Sequence, residues 1–100
     1  MKKEAPINHI LSKLKREKPH LLETYKVESL GVFGSFARQE QTPSSDLDLL
    51  VSFSEPPSLF TFLELEHYLS ELLETKVDLV MRDSLKQRIG RRILEDLLPV

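Results

Sequence analysis

The chain contains no cysteine among its 100 residues. That excludes disulfide staples, a thiolate nucleophile and thiolate metal sites, and says little about compartment. There is no basic excess either: 14 Lys plus Arg stand against 16 Asp plus Glu, a net charge of −2. A chain that coats DNA or an anionic membrane carries the opposite balance, so direct nucleic-acid binding is not expected. No apolar run approaches the roughly 20 residues of a membrane span. The opening MKKEAPINHI enters an amphipathic pattern at once, without the apolar stretch of a signal peptide. A cytoplasmic protein without membrane contact is the expectation. Disorder is excluded, because 40% of the residues are apolar. A chain of this length buries roughly 60–70% of its unfolded surface. One core follows, with residues 1–100 as a single domain and no room for separate cofactor and substrate domains.

Ile7, Ile10, Leu11 and Leu14 share one helical face. Pro6 suits the first turn, and Pro19 is expected to end or kink the helix near Lys18, with His20 to Thr24 adding a turn. Val27 to Phe33 reads as a strand that stops at Gly34-Ser35. Phe36 to Glu40 can begin a short helix with Ala37 inward, and Gln41 to Ser45 is turn chemistry. Asp46 to Phe53 is a second strand with Leu47, Leu49 and Val51 on one face. Ser58 can cap the next helix, whose predicted buried stripe is Leu59, Phe62, Leu65, Leu69, Leu72 and Leu73. Lys76 to Met81 is a third strand. Ser84 and Gln87 fit a capping box for a last helix with Leu85, Ile89, Ile93 and Leu97 inward, stopped by Pro99. The order predicts an α/β (α+β) layer fold: a small mixed sheet of about three strands covered by helices.

Glycine is scarce, with Gly31, Gly34 and Gly90 the only three, so placement is informative. Gly34 follows a strand and precedes Ser35 at the start of the short helix. Backbone N–H groups there can meet a phosphate, which the missing side chain lets approach, and Ser35 adds a hydroxyl donor. A plain turn is the simpler reading of this dipeptide alone. Asp46 and Asp48, two residues apart on a strand, put two carboxylates on the face opposite Leu47, Leu49 and Val51. A shared cation relieves their repulsion, and Mg²⁺ favours one or two carboxylates completed by water and substrate phosphates. Asp78 lies among Val77, Leu79 and Val80, where a carboxylate is costly unless paired or liganded. If its strand lies beside the Asp46–Val51 strand, three carboxylates converge, as two-metal phosphoryl or nucleotidyl transfer needs.

Gly34-Ser35, ten intervening residues and then Asp46-Leu47-Asp48 resemble the motif of the DNA polymerase beta-like nucleotidyltransferase superfamily. Within it, GSFARQEQTPSSDLDLLV and the later LKQRIGRRIL resemble the minimal nucleotidyltransferases (MNT), antitoxin partners of HEPN-domain toxins. The resemblance spans about residues 5–98. It implies the nucleotidyltransferase fold. It also implies that Gly34 and Ser35 hold the β and γ phosphates of a nucleoside triphosphate, and that Asp46 and Asp48 bind Mg²⁺, with two ions possible. Asp78 would complete the metal site and accept a proton from the attacking hydroxyl. Arg38 and Glu40 recur in the family motif; for Arg38 a phosphate contact and a loop-fixing salt bridge both stand open. The family commonly has Gly where Gln39 stands, and often Asp where Ser44 stands.

Two functions follow from that resemblance. One is a Mg²⁺-dependent transferase that moves AMP from ATP onto a hydroxyl of a partner HEPN toxin, most simply a tyrosine, as the antitoxin of a hetero-oligomeric toxin–antitoxin pair. The other is a non-catalytic antitoxin that neutralises its partner by binding alone. A decayed site would have lost Ser35, Asp46, Asp48 or Asp78, and all four are present. Arg88, Arg91 and Arg92 share one face of the last helix: a solvated face, a docking surface for an acidic partner, or a guide for the triphosphate. His20 and His67 read as surface residues, and Phe60, Phe62 and Tyr68 as core or interface aromatics.

Overall fold

The computed structural model describes residues 6–84 and 87–100. Helix α1 (Pro6–Tyr25) leads into strand β1 (Val27–Phe33), the short helix α2 (Gly34–Ala37) and strand β2 (Leu47–Phe53). Helix α3 (Leu59–Leu73), strand β3 (Val77–Met81), a 3-10 turn over Arg82–Ser84, helix α4 (Gln87–Asp96) and strand β4 (Leu98–Pro99) follow. The four strands form one mixed sheet in the order β3-β2-β1-β4. β1 is antiparallel to both β2 and β4, whereas β2 and β3 are parallel. The three expected strands are there, and β4 adds a short fourth at the edge. It contains Pro99, expected only to stop a helix. Proline has no N–H to give a ladder, and an edge is where a strand tolerates it.

Alternation along β2 sets the layers. Leu47, Leu49 and Val51 are sealed on one face. They join Leu14 and Leu21 of α1 and Leu65, Leu69 and Leu73 of α3 in one core. Each leucine sealed there contributes roughly 1.5–3 kcal/mol. α1 does not stop near Lys18: it runs through Pro19 to Tyr25. Pro19 removes the bond to the Lys15 carbonyl, but both residues are exposed, so water can replace the donor. Leu14 and Leu21, both fully buried, hold the two halves against the same core.

Ser58 caps α3 as expected, its hydroxyl accepting from the Thr61 N–H at 3.1 Å. The predicted stripe is buried or half-buried except at Leu59, which is 74% exposed. It opens the first turn, ahead of and rotated off the line through Phe62, Leu65, Leu69 and Leu72. Phe60 is likewise exposed, while Phe62 and Tyr68 pack against the core. His20 and His67 are exposed, as expected. Side chains of α3 protect the open edge of β3: the Val77 N–H donates to Ser70 Oγ and the Leu79 N–H to Glu66 Oε2, each at 3.0 Å.

The Ser84 hydroxyl donates back to the Met81 carbonyl at 2.8 Å, inside the 3-10 turn, and the Gln87 side chain of the expected capping box lies outside the described residues. Leu85, Lys86 and the side chains of Arg88, Ile89 and Arg92 lie outside the described residues, as does what Gly90 packs against. Arg91 is exposed, and Ile93 and Leu97 are half-buried on the expected inner side. Leu97 seats on Gly31, where a Cβ would stand 3.1 Å from its Cγ. Among the described residues no helix is long and apolar enough to cross a membrane.

Candidate active site

The backbone turns sharply where β1 ends. Gly34 takes φ +74°, in the left-handed region that side chains disfavour. The helix it opens is shorter than expected. α2 ends at Ala37, Arg38 caps it, and Gln39 adopts φ +57°. Phe36 is the buried anchor, with Ala37 only half-buried beside it. Glycine in place of Gln39 would take that left-handed backbone without strain, which gives a physical meaning to the glycine common there in the resembling family.

The sheet register brings the acids into line. Phe33 pairs with Asp48, and Asp48 pairs with Asp78. Asp46 lies one residue before β2, two before Asp48, and so on the same face. β3 does lie beside β2, as the convergence of three acids required. Asp78 is nevertheless exposed, not enclosed among apolar neighbours. Val77 and Leu79 take the core face, and the period of two turns Asp78 to the open one.

Asp48 feels its neighbours. Burial lifts its carboxyl above the ordinary aspartate value, the charges of Asp78 and Asp46 lift it further, and Arg38 opposes the rise. Its carboxylate lies directly against Gly34. A Cβ on that glycine would overlap Oδ2 and stand 3.1 Å from Cγ. Lys76 Nζ stands 3.9 Å from Asp46 Oδ2. Among the described residues, no three His, Cys, Asp or Glu side chains close into a ready metal cage. An open row of carboxylates, one of them disfavoured in its charged form by burial and by its neighbours' charges, fits a cation that takes its remaining ligands from water and phosphate. Magnesium is such a cation.

Arg38 reaches two carboxylates: its Nε donates to Glu40 Oε2 at 3.2 Å and its Nη1 to Asp96 Oδ2 at 2.6 Å. These bonds, Asp96 first, raise the guanidinium's already high pKa. The loop-fixing salt bridge left open for Arg38 is therefore formed. Phe33, Gly34, Arg38, Ile93 and Asp96 line a shallow cavity of about 230 Å³ beside the glycine turn.

Residues 7–100 match the family described as the nucleotidyltransferase domain. The chain belongs to that family. Among its relatives, a Methanocaldococcus jannaschii protein carrying protein adenylyltransferase as its provisional name is 48% identical over 99 residues, 98% of each chain. Protein adenylyltransferase MntA of Thermococcus cleftensis is 46% identical, over 94% of this chain and 95% of its own. A solved structure provisionally described as a minimal nucleotidyltransferase is 32% identical, with a TM-score of 0.74 over 91% of this chain and 95% of the other. Two more distant structures share the fold. A toxin–antitoxin structure with AMP-PNP is 24% identical, with a TM-score of 0.68 over 93% of this chain and 70% of the other. The complex of a tri-AMPylated Shewanella oneidensis HEPN toxin with its MNT antitoxin is 21% identical, with a TM-score of 0.60 over 94% and 67%.

In this nucleotidyltransferase the residues that the sequence singles out, Gly34, Ser35, Arg38, Asp46, Asp48 and Asp78, lie around the end of β1 and the starts of β2 and β3. Two more lining residues, Ile93 and Asp96, carry no such signal. Asp96 meets Arg38 across 58 residues of chain, and no local pattern marks such a pair.

Proposed function

We propose that this nucleotidyltransferase moves AMP from ATP to a tyrosine hydroxyl of a HEPN-domain toxin, with which it forms a hetero-oligomeric antitoxin–toxin pair in the cytoplasm. Residues 1–100 act as one minimal domain in this reading. The observation that carries it is the register that sets Gly34, Asp48 and Asp78 beside one another on neighbouring strands. The names of the two adenylyltransferase relatives support protein as the acceptor. The AMPylated toxin bound to an MNT antitoxin suggests which protein.

Each residue has a task. Gly34 admits the triphosphate to the backbone, Ser35 donates to a phosphate oxygen, and Arg38 offers its remaining N–H groups to the same charge. Asp46, Asp48 and Asp78 would hold Mg²⁺, which when bound offsets carboxylate repulsion and phosphate charge. Asp78, the exposed member, takes the proton from the attacking hydroxyl. The hydroxyl oxygen bonds to the α-phosphorus, and pyrophosphate leaves with the electron pair of the broken P–O bond.

The experiment combines the chain with its HEPN-domain partner, ATP and Mg²⁺, and weighs both proteins by intact mass spectrometry. The partner gains AMP units only when all three components are present. A partner that gains no mass, yet whose toxicity is blocked, would establish neutralisation by binding alone.

A further inference from the structure

The Arg38–Asp96 pair has a geometry that the transfer reaction can use. Arg38 stands at the mouth of the site: it follows the Gly34 turn and shares a cavity wall with Gly34. Its charge is felt at Asp48. Arginine has five N–H groups in a planar fork. Glu40 takes Nε and Asp96 takes Nη1, and neither bond uses Nη2. The fork is therefore held at two points on different edges, on a side chain that is itself 45% exposed. Asp96 ends α4, an element that carries none of the three acids.

We infer that Asp96 is a positioning residue for nucleotide binding: it reaches from the end of α4 to aim the Arg38 guanidinium at the phosphates of the incoming nucleoside triphosphate. This rests on the transferase reading above. A guanidinium held in place loses less freedom when a phosphate arrives than one waving on a half-exposed stem. Arg38 is 45% exposed on its side chain and Asp96 33%, so solvent screens the pair and the effect is modest. A converse role, in which Asp96 competes with phosphate for Arg38, predicts tighter binding once Asp96 is removed. The sign of the change separates the two.

The test measures the Kd of Mg²⁺ with AMP-PNP by calorimetry for the full chain. Asp96→Ala should weaken binding by about fivefold, the size of one exposed charge pair. Asp96→Glu should restore most of it. In an Arg38→Ala background Asp96→Ala should change nothing further, which a purely structural role for α4 would not produce. Asp96→Asn serves as the second variant where Asp96→Ala melts below the assay temperature. Equal or tighter binding by Asp96→Ala overturns the assignment, and so does an unchanged effect in the Arg38→Ala background. A wild-type chain that binds AMP-PNP but modifies no partner refutes the proposed acceptor and leaves the Asp96 comparison standing. One that binds no nucleotide refutes both.

Discussion

Gly34→Ala tests the site at the point where backbone and carboxylate meet. Two costs add. The alanine must hold φ +74°, which costs a non-glycine residue roughly 1–2 kcal/mol. Its Cβ also overlaps Asp48 Oδ2, and Cγ and Cβ of Asp48 lie only 3.1 and 3.3 Å away. The carboxylate has to swing off its rotamer, at about 0.5–1.5 kcal/mol. The stiffer unfolded chain returns about 0.4–1 kcal/mol. The net loss is about 2 kcal/mol, which lowers the melting midpoint of a domain this size by roughly 8–16 °C. Thermal melts followed by circular dichroism read it directly. The collision part is isolated by repeating the substitution in an Asp48→Ala background, where the loss should shrink by about 1 kcal/mol, as expected for touching residues. AMP transfer should be lost in Gly34→Ala even well below its midpoint, because Asp48 has been displaced. A midpoint within about 3 °C of wild type, against the fall expected for such strain, would refute the reasoning. So would an equal fall with and without Asp48.

Asp48→Asn should abolish transfer yet raise the midpoint of the metal-free protein at pH 7. The folded state raises the Asp48 carboxyl above its ordinary value. Wild-type stability therefore falls as pH climbs from the ordinary aspartate range through that raised value, and stays reduced above it. The advantage of the Asp48→Asn variant appears over the same window and vanishes in acid; melts in EDTA from pH 3 to pH 8 follow it, and a mutant that melts lower at pH 7 would sink the charge-crowding account. Mg²⁺ with AMP-PNP should stabilise the wild type by mass action and the mutant much less. Ser35→Ala should cut the single-turnover transfer rate by ~10²–10³, the usual value of one donor to developing charge. A loss below tenfold, with Asp46→Asn fully inactive, would make the Gly34-Ser35 turn structural only.

Where one local rule decided the outcome, the chain could be read directly. The period of two in β2 told which side of the strand is core and which carries Asp46 and Asp48, and burial followed it at Leu47, Leu49 and Val51. Ser58 announced its helix through hydroxyl capping. Where two rules competed, the local one gave way. Pro19 is expected to end or kink a helix; α1 runs on to Tyr25 because Leu14 and Leu21 hold both halves on one core and the missing bond falls on the wet side. Asp78 looked enclosed because its sequence neighbours are apolar; whether an acid in a strand is buried depends on the face it takes and on whether the strand is an edge, and neither is local. Asp96 and β4 were illegible for the same reason. Their partners, Arg38 and β1, lie far back along the chain, and pairing over such distances leaves no periodic trace.

The features that make the site also burden the fold. Gln39 holds left-handed backbone without being glycine, and Asp48 carries its charge beside two others, with Arg38 the one cation that opposes the cost among the described residues. None of this is needed to bury Leu47, Leu49 and Val51, since the opposite face of the strand does that unaided. A chain that neutralised a partner by covering it would fold better with asparagine in place of Asp48. Charge crowding of this kind is explained when the crowded groups meet a ligand that relieves it. A divalent cation removes the carboxylate repulsion, and the missing side chain of Gly34 leaves room for the Asp48 carboxylate that would hold it. A cation held there would account for the charge cost, which covering a partner does not. The metal-free Asp48→Asn melt therefore measures the cost of this row of carboxylates, and the mass of the partner decides between the two antitoxin mechanisms.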